Sequence, residues 1–252
     1  MSHHKQVLTS VRNPKIVELA KLHDARRRRA ASQTLVEGPH QVADVLASGA
    51  EITEIFRAES DVTTEELGHE AGIPVTTVGQ SVLRRLAGTD HPRGPVAVAR
   101  IPEPDPLAGI DTVVLWEVAD PGNAGAIIRT AAALGYAVAV SPGTVDVWSP
   151  KVVRAAAATQ FGAHVSALPD GSLSTLESAG LHTIATVAVD GRSPDEIERT
   201  GPVAILIGNE ARGLPGQIVA AADQRITIPL QGGVESLNAA VAAGLVMYAL
   251  RV

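Results

Sequence analysis

The chain has 252 residues, of which 45% are hydrophobic, 2% aromatic and 19% charged. This length allows one large or two small domains, and the hydrophobic content excludes a wholly disordered chain. The absence of cysteine excludes disulfides and thiolate metal sites and is typical of a reducing compartment. No apolar run approaches the roughly 18 residues of a membrane-spanning helix, so we expect a cytoplasmic protein without a membrane association.

The net charge of −6 is unevenly distributed along the chain. In residues 1–30, eight basic side chains, including Lys5, outnumber two acidic ones, so this segment carries +6 and the other 222 residues carry −12. We expect the segment to bind an anionic partner, with nucleic acid the first candidate. Its basic candidates are Arg12, Arg26, Arg27, Arg28 and Arg29. Four consecutive arginines surround a helix, so a solvated helix is the alternative.

The first half of the chain is predicted to be a compact α/β domain preceded by a basic helix. Helices are predicted after Asn13-Pro14 and Gly38-Pro39 and over residues 62–72 and 82–86. Short apolar strands are predicted at 34–36, 52–56, 75–78 and 96–101. Proline at alternate positions from Pro102 to Pro106 then predicts a semi-rigid connector. The predicted domain bounds are 1–101, a linker at 102–110, and 111–252.

The second half alternates apolar runs with helical segments. The runs at 113–118, 137–140, 184–189, 203–207 and 226–228 are short and β-branched, which is typical of a parallel sheet covered on both faces. Helices are predicted over residues 124–134, 152–160, 173–179 and 217–222. The last stretch, 237–250, is rich in Ala and Val all round, which predicts a buried helix at a subunit interface.

Polar and glycine-rich loops follow three of the predicted strands, where open parallel sheets bind their ligands. In the first, residues 120–125, Asn123 is predicted to cap the next helix, and Arg129 projects from that otherwise apolar helix. A surface arginine with a buried stem is the alternative for Arg129. The second loop, residues 208–213, places Glu210 at a strand end between two glycines.

The third loop, residues 228–238, runs into the apolar last helix. Ser236 is predicted to be its N-cap, and Asn238 is predicted to be a buried amide that needs partners. Other chemistries find little support, because the chain lacks the GxGxxG, GxxxxGK[ST], HExxH and GxSxG patterns. The eight histidines, His3 and His4 among them, show no ligand spacing, so we expect no metal site.

The three loops together resemble a known family. DPGNAGAIIRTAAALG, ILIGNEARGLP and ITIPLQGGVESLNAAVAAG are similar, in order and spacing, to the signature motifs of SpoU-type RNA ribose 2′-O-methyltransferases of the knotted SPOUT class. The segments VRNPKIVELAKLHDARRRR, LVEGPHQVADVL and TDHPRGPVAVA are similar to that family's substrate-binding domain. The departures, Asp120, Ala124, Leu230 and Ala239, remove no polar functional position.

The resemblance implies a C-terminal α/β knot, a parallel sheet with a trefoil knot, preceded by a smaller α/β RNA substrate-binding domain. It implies S-adenosylmethionine as cofactor, bound near Gly208, Ile228 and Leu237, and a homodimer packed through the knot region and the last helix. Asn209 and Thr186 are further candidates for the cofactor site. It assigns the catalytic role to Arg129, which we expect to clamp phosphate and a developing alkoxide. Asn123 and Glu210 are expected to orient Arg129, while Ser236 and Asn238 complete the pocket.

The substrate that the resemblance implies is 23S ribosomal RNA, because a separate N-terminal domain of this type is similar to that of members acting on the large subunit. A transfer-RNA ribose methyltransferase is the alternative within the class. A non-catalytic RNA-binding or ribosome-assembly protein is the alternative from another class. The presence of all four polar motif residues argues against it: Asn123, Arg129, Glu210 and Asn238. A dehydrogenase on an ordinary doubly wound sheet is opposed by the lack of GxGxxG.

Overall fold

A computed structural model of the chain describes residues 7–92, 94–107 and 109–251. Lys5, His3 and His4, the Arg93 of one motif segment and the Ala108 of the linker lie outside the described residues. The described residues form two compact units. The first unit runs to Pro102 and includes Trp148–Gly162; the second has Glu103–Val147 and continues from Ala163. Residues 148–162 therefore belong with the first unit, although the predicted bounds placed them in the second.

The elements of the chain up to residue 102 are α1 (Pro14–Ala20), α2 (Ala25–Ala31), β1 (Gln33–Glu37), α3 (Pro39–Ala47), β2 (Ile52–Arg57), α4 (Val62–Glu70), β3 (Val75–Thr77), α5 (Gln80–Ala87) and β4 (Val96–Arg100). The predicted helices and strands of this half agree with them to within a few residues. The sheet order is β1-β4-β2-β3, with β4 antiparallel to both neighbours and β3 parallel to β2.

The elements that follow are β5 (Thr112–Leu115), α6 (Pro121–Leu134), β6 (Ala137–Val140), α7 (Pro150–Ala155), β7 (Val165–Ala167), α8 (Leu173–Ser178), β8 (His182–Thr186), β9 (Val203–Ile207), α9 (Gly216–Ala221), β10 (Gln224–Ile226) and α10 (Ala239–Leu250). Single turns of 3₁₀ helix lie at Lys21–His23, Thr159–Phe161 and Pro194–Glu196.

The sheet of the first unit buries apolar side chains on both faces. Phe56 of β2 packs with Ile16 of α1 and Leu86 of α5 on one face, all fully buried. On the other face, Val42 of α3 and Val153 of α7 pack in a second cluster. Trp148 and Phe161 meet there edge to face, with ring centroids 5.2 Å apart. This cluster explains why residues 148–162 belong to the first unit.

The arginine run of α2 does not present four equivalent side chains. Arg28 is only 3% exposed and donates from a guanidinium nitrogen to the carbonyl oxygen of Leu22 over 2.7 Å, whereas Arg26, Arg27 and Arg29 are exposed. Successive helical residues are rotated by about 100°, so one of four must face inward. The prediction that Arg28 contacts RNA is therefore wrong, since its side chain is part of the folded interior.

The sheet of the second unit is parallel throughout, with the order β10-β8-β9-β5-β6-β7. This confirms the parallel sheet predicted from the apolar runs, and all five residues of β9 are buried. The prediction missed β7, and it placed the last strand two residues too late, since β10 ends at Ile226. The predicted helix over 152–160 divides into α7 and a 3₁₀ turn, separated by Ala157 and Ala158 at positive φ. In the described part of the chain, no helix has the length and apolar character needed to cross a membrane.

Candidate active site

Three loops leave the carboxyl ends of strands β5, β9 and β10, which lie at the same edge of the parallel sheet of the second unit. The loop after β5 leads into α6, and the loop after β10 leads into α10. The loop after β9 carries Gly208 to Gly213. The sheet topology therefore brings together the three segments that the sequence singles out.

Glu210 of the second loop is the acceptor at the centre of a hydrogen-bonded cluster. Its two carboxylate oxygens accept from the backbone amides of Ala119 (3.1 Å) and Asp120 (3.0 Å) of the first loop. One of these oxygens also accepts from the Nδ2 atom of Asn123 over 3.0 Å. The side chain of Glu210 thus fixes the entry of the chain into α6.

Asn238 extends this cluster to the third loop. Its Nδ2 atom donates to the Oδ1 atom of Asn123 over 2.8 Å, while its own Oδ1 accepts from the amides of Ala240 and Val241 and caps α10. Because Asn123 donates to Glu210 and accepts from Asn238, the amide orientation of both asparagines is determined by the network. A continuous chain of hydrogen bonds, Glu210–Asn123–Asn238, links the three loops.

The environment of Glu210 keeps its carboxyl group ionised. Partial burial alone raises the pKa of Glu210, but the hydrogen bonds donated by Asn123 and by the backbone amides of Ala119 and Asp120 lower it more in total. The pKa of Glu210 therefore lies below its ordinary value. A carboxylate that accepts three hydrogen bonds is a weak base, so Glu210 serves as an acceptor that positions Asn123.

The first two loops are also joined by Glu117, whose backbone is left-handed with φ of 53°. Its carbonyl oxygen accepts from the Nδ2 atom of Asn209 over 2.8 Å, and its carboxylate pairs with Arg212 at 2.8 Å. Its amide donates to the Oγ atom of Ser141 over 3.0 Å. Sequence reasoning did not identify Glu117, because the conformation that brings these groups together is not visible in a lone glutamate.

A cavity of about 150 Å³ opens beside this cluster. Its walls come from the second and third loops, the ends of β8, β9 and β10, and helix α10. The predicted cofactor residues Thr186, Gly208, Asn209, Ile228 and Leu237 all line it, together with Ser236. Most of the remaining wall is apolar, formed by Val187, Ala188, Ile207, Ile226, Leu230, Ala239, Ala242 and Val246. Gly213 and Glu235 complete the lining. The structure thus brings together residues that lie up to 60 positions apart in the sequence.

The backbone of the second loop leaves no room for a side chain at Gly208. A Cβ atom at this position would lie 2.4 Å from the carbonyl carbon of Gly213 and 2.4 Å from the amide of Leu214. The side chain is excluded by the backbone of its own loop, whose ends approach each other through the Gly213 amide and the Asn209 carbonyl at 2.8 Å. A larger residue here would therefore distort the loop even when no ligand is bound.

Arg129 is not part of the hydrogen-bonded cluster. It lies six residues beyond Asn123 in α6, about 9 Å further along the helix axis, and its side chain is exposed. Among residues 7–92, 94–107 and 109–251, no side chain or carbonyl group accepts a hydrogen bond from it. The expectation that Asn123 and Glu210 orient Arg129 is therefore wrong within one chain: these two residues bind each other and the loop backbone instead.

Both predicted helix caps are displaced by a few residues. Asp120 caps α6 by accepting from the amide of Asn123 over 2.8 Å, so Asn123 lies inside the first turn with its side chain free for the cluster. Asn238, not Ser236, caps α10, and it is exposed rather than buried. Ser236 remains a cavity residue. Each cap is replaced by another residue type that caps equally well, which the sequence pattern does not distinguish.

Helix α10 is packed against α6 on one side and is exposed on another. Gly244 faces Thr130, the neighbour of Arg129, and the phenolic hydroxyl of Tyr136 donates to the carbonyl of Met247 over 3.0 Å. Burial raises the pKa of Tyr136 to about 12. Yet Val241, Leu245 and Tyr248 are 52%, 48% and 56% exposed, and their spacing places them on one apolar stripe. In a single chain this helix is buried on its inner side, and the subunit interface predicted for it stays a prediction.

Within the described residues, no group of three or more His, Cys, Asp or Glu side chains is arranged to hold a metal ion. The cluster offers amide groups and the carboxylate of Glu210, and the adjoining cavity is mostly apolar. Arg129 adds an exposed positive charge on the same helix as Asn123.

Comparison with known proteins identifies the class. Residues 111–248 match the SpoU rRNA Methylase family, and residues 13–97 match the MRM3-like substrate binding domain. The chain belongs to the SpoU rRNA methylase family. It is 31% identical over 247 residues to the 23S rRNA (guanosine(2553)-2′-O)-methyltransferase RlmP of Bacillus subtilis strain 168, an alignment that covers 97% of this chain and 98% of that protein.

Solved structures with the same fold include two with a bound cofactor. The AdoMet-bound rRNA methyltransferase from Sinorhizobium meliloti is 28% identical, with a TM-score of 0.85 over 97% of this chain and 96% of that one. The SpoU methyltransferase AviRb from Streptomyces viridochromogenes, in complex with AdoMet, is 26% identical, with a TM-score of 0.84 over 94% and 97%. The agreement over nearly the whole chain confirms the fold class predicted from the sequence.

Proposed function

We propose that this protein is an S-adenosylmethionine-dependent RNA ribose 2′-O-methyltransferase whose substrate is 23S ribosomal RNA. The observation that carries the proposal is the Glu210–Asn123–Asn238 hydrogen-bond chain beside a cavity lined by Gly208, Ile228 and Leu237. The activity printed in the name of the RlmP relative supports the choice of RNA and of ribose. A cytoplasmic location belongs to the same proposal, since ribosomal RNA and the cofactor occur there.

The cavity fits S-adenosylmethionine in its chemistry. Its apolar wall, with Ile207, Ile226 and Ile228, suits a flat purine, while Asn209 and Ser236 offer hydrogen bonds to sugar or amino-acid groups. The glycine-bearing loop brings backbone groups of Gly208 and Gly213 to the cavity surface without intervening side chains. The cofactor, when bound, supplies a methyl group on a positively charged sulfur.

The residues near the cavity would hold the RNA and stabilise the ribose oxygen during the transfer. As the 2′-oxygen takes the methyl group, sulfur would keep the electron pair of the carbon–sulfur bond that breaks, and the hydroxyl proton would pass to solvent. The cluster of Asn123 and Asn238 orients the ribose, and the permanently charged Arg129 stabilises the developing alkoxide or a neighbouring phosphate. The low pKa of Glu210 suits its role as a fixed acceptor and not as the base that takes this proton.

The first unit provides the RNA-binding surface in this proposal. Lys15 is already paired with Glu54 at 2.6 Å and Lys21 with Glu18, so these two lysines are engaged within the fold. Arg12, Arg26, Arg27 and Arg29 are exposed and have no ion-pair partner in the part of the chain that the structure describes. These four arginines are the groups proposed to bind RNA phosphates.

The knot and the homodimer also belong to the proposal. The knot rests on the resemblance of the three loop motifs to the SPOUT class. The apolar stripe of α10 supports a homodimer through this helix, since a second copy would cover it. Light scattering should give twice the mass of the chain, and a monomer under active conditions would contradict the dimer.

The experiment that tests the activity offers the protein two RNAs that lack modifications. Purified 23S ribosomal RNA and a transfer-RNA mixture are each incubated with S-adenosylmethionine labelled in its methyl group. Incorporation into 23S RNA alone is expected. Incorporation into transfer RNA alone would replace the proposed substrate by the alternative, and binding of RNA without any incorporation would favour a non-catalytic protein.

A further inference from the structure

Glu235 introduces a negative charge into a cavity wall that is otherwise uncharged. Of the residues that line the cavity, all within the described ranges, it is the one with an ionisable side chain. Its carboxylate has no hydrogen-bond or ion-pair partner among the described residues, and the residue is exposed. No structural role within the fold therefore accounts for this side chain.

The position of Glu235 in the third loop relates it to the reacting end of the cavity. Ser236 and Leu237 also line the cavity, and Asn238 follows at once and joins Asn123 in the cluster. The bond that breaks must lie close to these two asparagines if they orient the ribose. Glu235 therefore belongs both to the lining of the cavity and to the loop that carries Asn238.

We propose, on the basis of the proposed function, that Glu235 selects the charged methyl donor by facing its sulfonium group. The donor carries a positive charge on sulfur, and the thioether product that remains after transfer does not. An acidic wall therefore attracts the donor more than the product, which favours exchange of product for fresh donor. The specificity is electrostatic, since the two molecules otherwise differ by one methyl group.

The test compares three ligands by calorimetry. S-adenosylmethionine and sinefungin both carry a positive charge at or beside the sulfur position, whereas S-adenosylhomocysteine is neutral there. In Glu235→Gln, the affinity for the first two should fall about fivefold, as expected from losing about 1 kcal/mol of attraction at contact distance in a water-like dielectric. The affinity for S-adenosylhomocysteine should stay within twofold.

Controls separate this effect from a change in fold or in overall charge. Glu177→Gln removes the same charge from an exposed position on α8, outside the cavity, and should leave all three affinities unchanged. Both variants should keep the melting temperature of the wild type. The difference between the two charged ligands and the neutral one should also shrink with added salt in the wild type and not in Glu235→Gln.

Two results would overturn the inference while leaving the proposed function intact. If all three ligands bind equally more weakly to Glu235→Gln, the carboxylate contacts a group that they share, such as the α-ammonium. If all three affinities are unchanged, Glu235 does not take part in binding these ligands. Wild-type protein that binds none of the three ligands would contradict the proposed function itself, and the role of Glu235 with it.

Discussion

Replacing Glu210 by glutamine should destabilise the site through a countable set of hydrogen bonds. The carboxylate accepts from the amides of Ala119 and Asp120 and from Asn123. Glutamine has one oxygen in place of two, so it retains the bonds at one position and places an NH₂ donor against the amide of Ala119. Each hydrogen bond to a charged group contributes about 1.5–3 kcal/mol. Because the site is partly exposed, we expect the substitution to lower the free energy of unfolding by about 2 kcal/mol.

For a protein of this size, that loss lowers the melting temperature by about 4–8 °C. Scanning calorimetry of Glu210→Gln measures it, with Glu177→Gln as the matched control that should not shift. A double-mutant cycle with Asn123→Ala should give a coupling energy of about 1 kcal/mol, because the two side chains share a bond. Independent effects of the two substitutions would refute the cluster described here.

The stability lost in Glu210→Gln should depend on pH in a defined direction. The folded protein holds the pKa of Glu210 below its ordinary value of 4.5. The stability this carboxylate adds is therefore complete above about pH 4.5, and it is lost as the pH falls through the folded pKa. The difference in stability between wild type and Glu210→Gln should be constant from pH 6 to 8 and shrink in acid. A difference that grows on acidification would refute the assigned direction.

Three further predictions concern single features of the two units. Arg129→Ala should lower single-turnover methyl transfer about 100- to 1000-fold while leaving the melting temperature unchanged, since this exposed side chain has no partner within the described residues; near-normal transfer would remove its catalytic role. Replacing Arg26, Arg27 and Arg29 by glutamine should make the logarithm of the RNA-binding constant fall less steeply with the logarithm of salt concentration, by about two units of slope, with little change in turnover at saturating RNA. An unchanged slope would favour the solvated-helix alternative. The control variant Arg28→Gln should destabilise the fold, because this side chain is buried. Gly208→Ala should lower the melting temperature even without ligand, because its Cβ would lie 2.4 Å from backbone atoms; a melting temperature equal to that of the wild type would contradict this packing.

The sequence predicts the sheet and the three loops well because their signals are local. Continuous β-branched runs identify β5, β6 and β9, and the polar residues that follow lie at strand ends by the geometry of any parallel sheet. Strand β7 was missed because three residues, with Ser166 in the middle, do not form a recognisable apolar run. The motif resemblance supplied the cofactor and the reaction, which periodicity alone does not contain.

The errors lie where distant segments decide the outcome. Asp120 and Asn123 are both good capping residues, and the choice between them depends on Glu210, about 90 residues away, taking the side chain of Asn123. Residues 148–162 join the first unit through contacts such as Thr34 with the Trp148 carbonyl at 2.7 Å and Arg154 with Glu37 at 2.5 Å. Neither contact can be predicted from the spacing of apolar and polar residues in the nearby sequence.

The position of the transferred methyl group shows whether the Glu210–Asn123–Asn238 cluster supports methylation of the ribose. Unmodified 23S ribosomal RNA is treated with S-adenosylmethionine and either wild-type protein or Asn123→Ala, then digested to nucleosides and analysed by mass spectrometry. In the wild-type sample we expect one new nucleoside with the methyl group on the ribose 2′-oxygen. It should be nearly absent with Asn123→Ala, which removes the link between Glu210 and Asn238. A methyl group found on a base, or a ribose methylation that is unaffected by Asn123→Ala, would contradict this expectation.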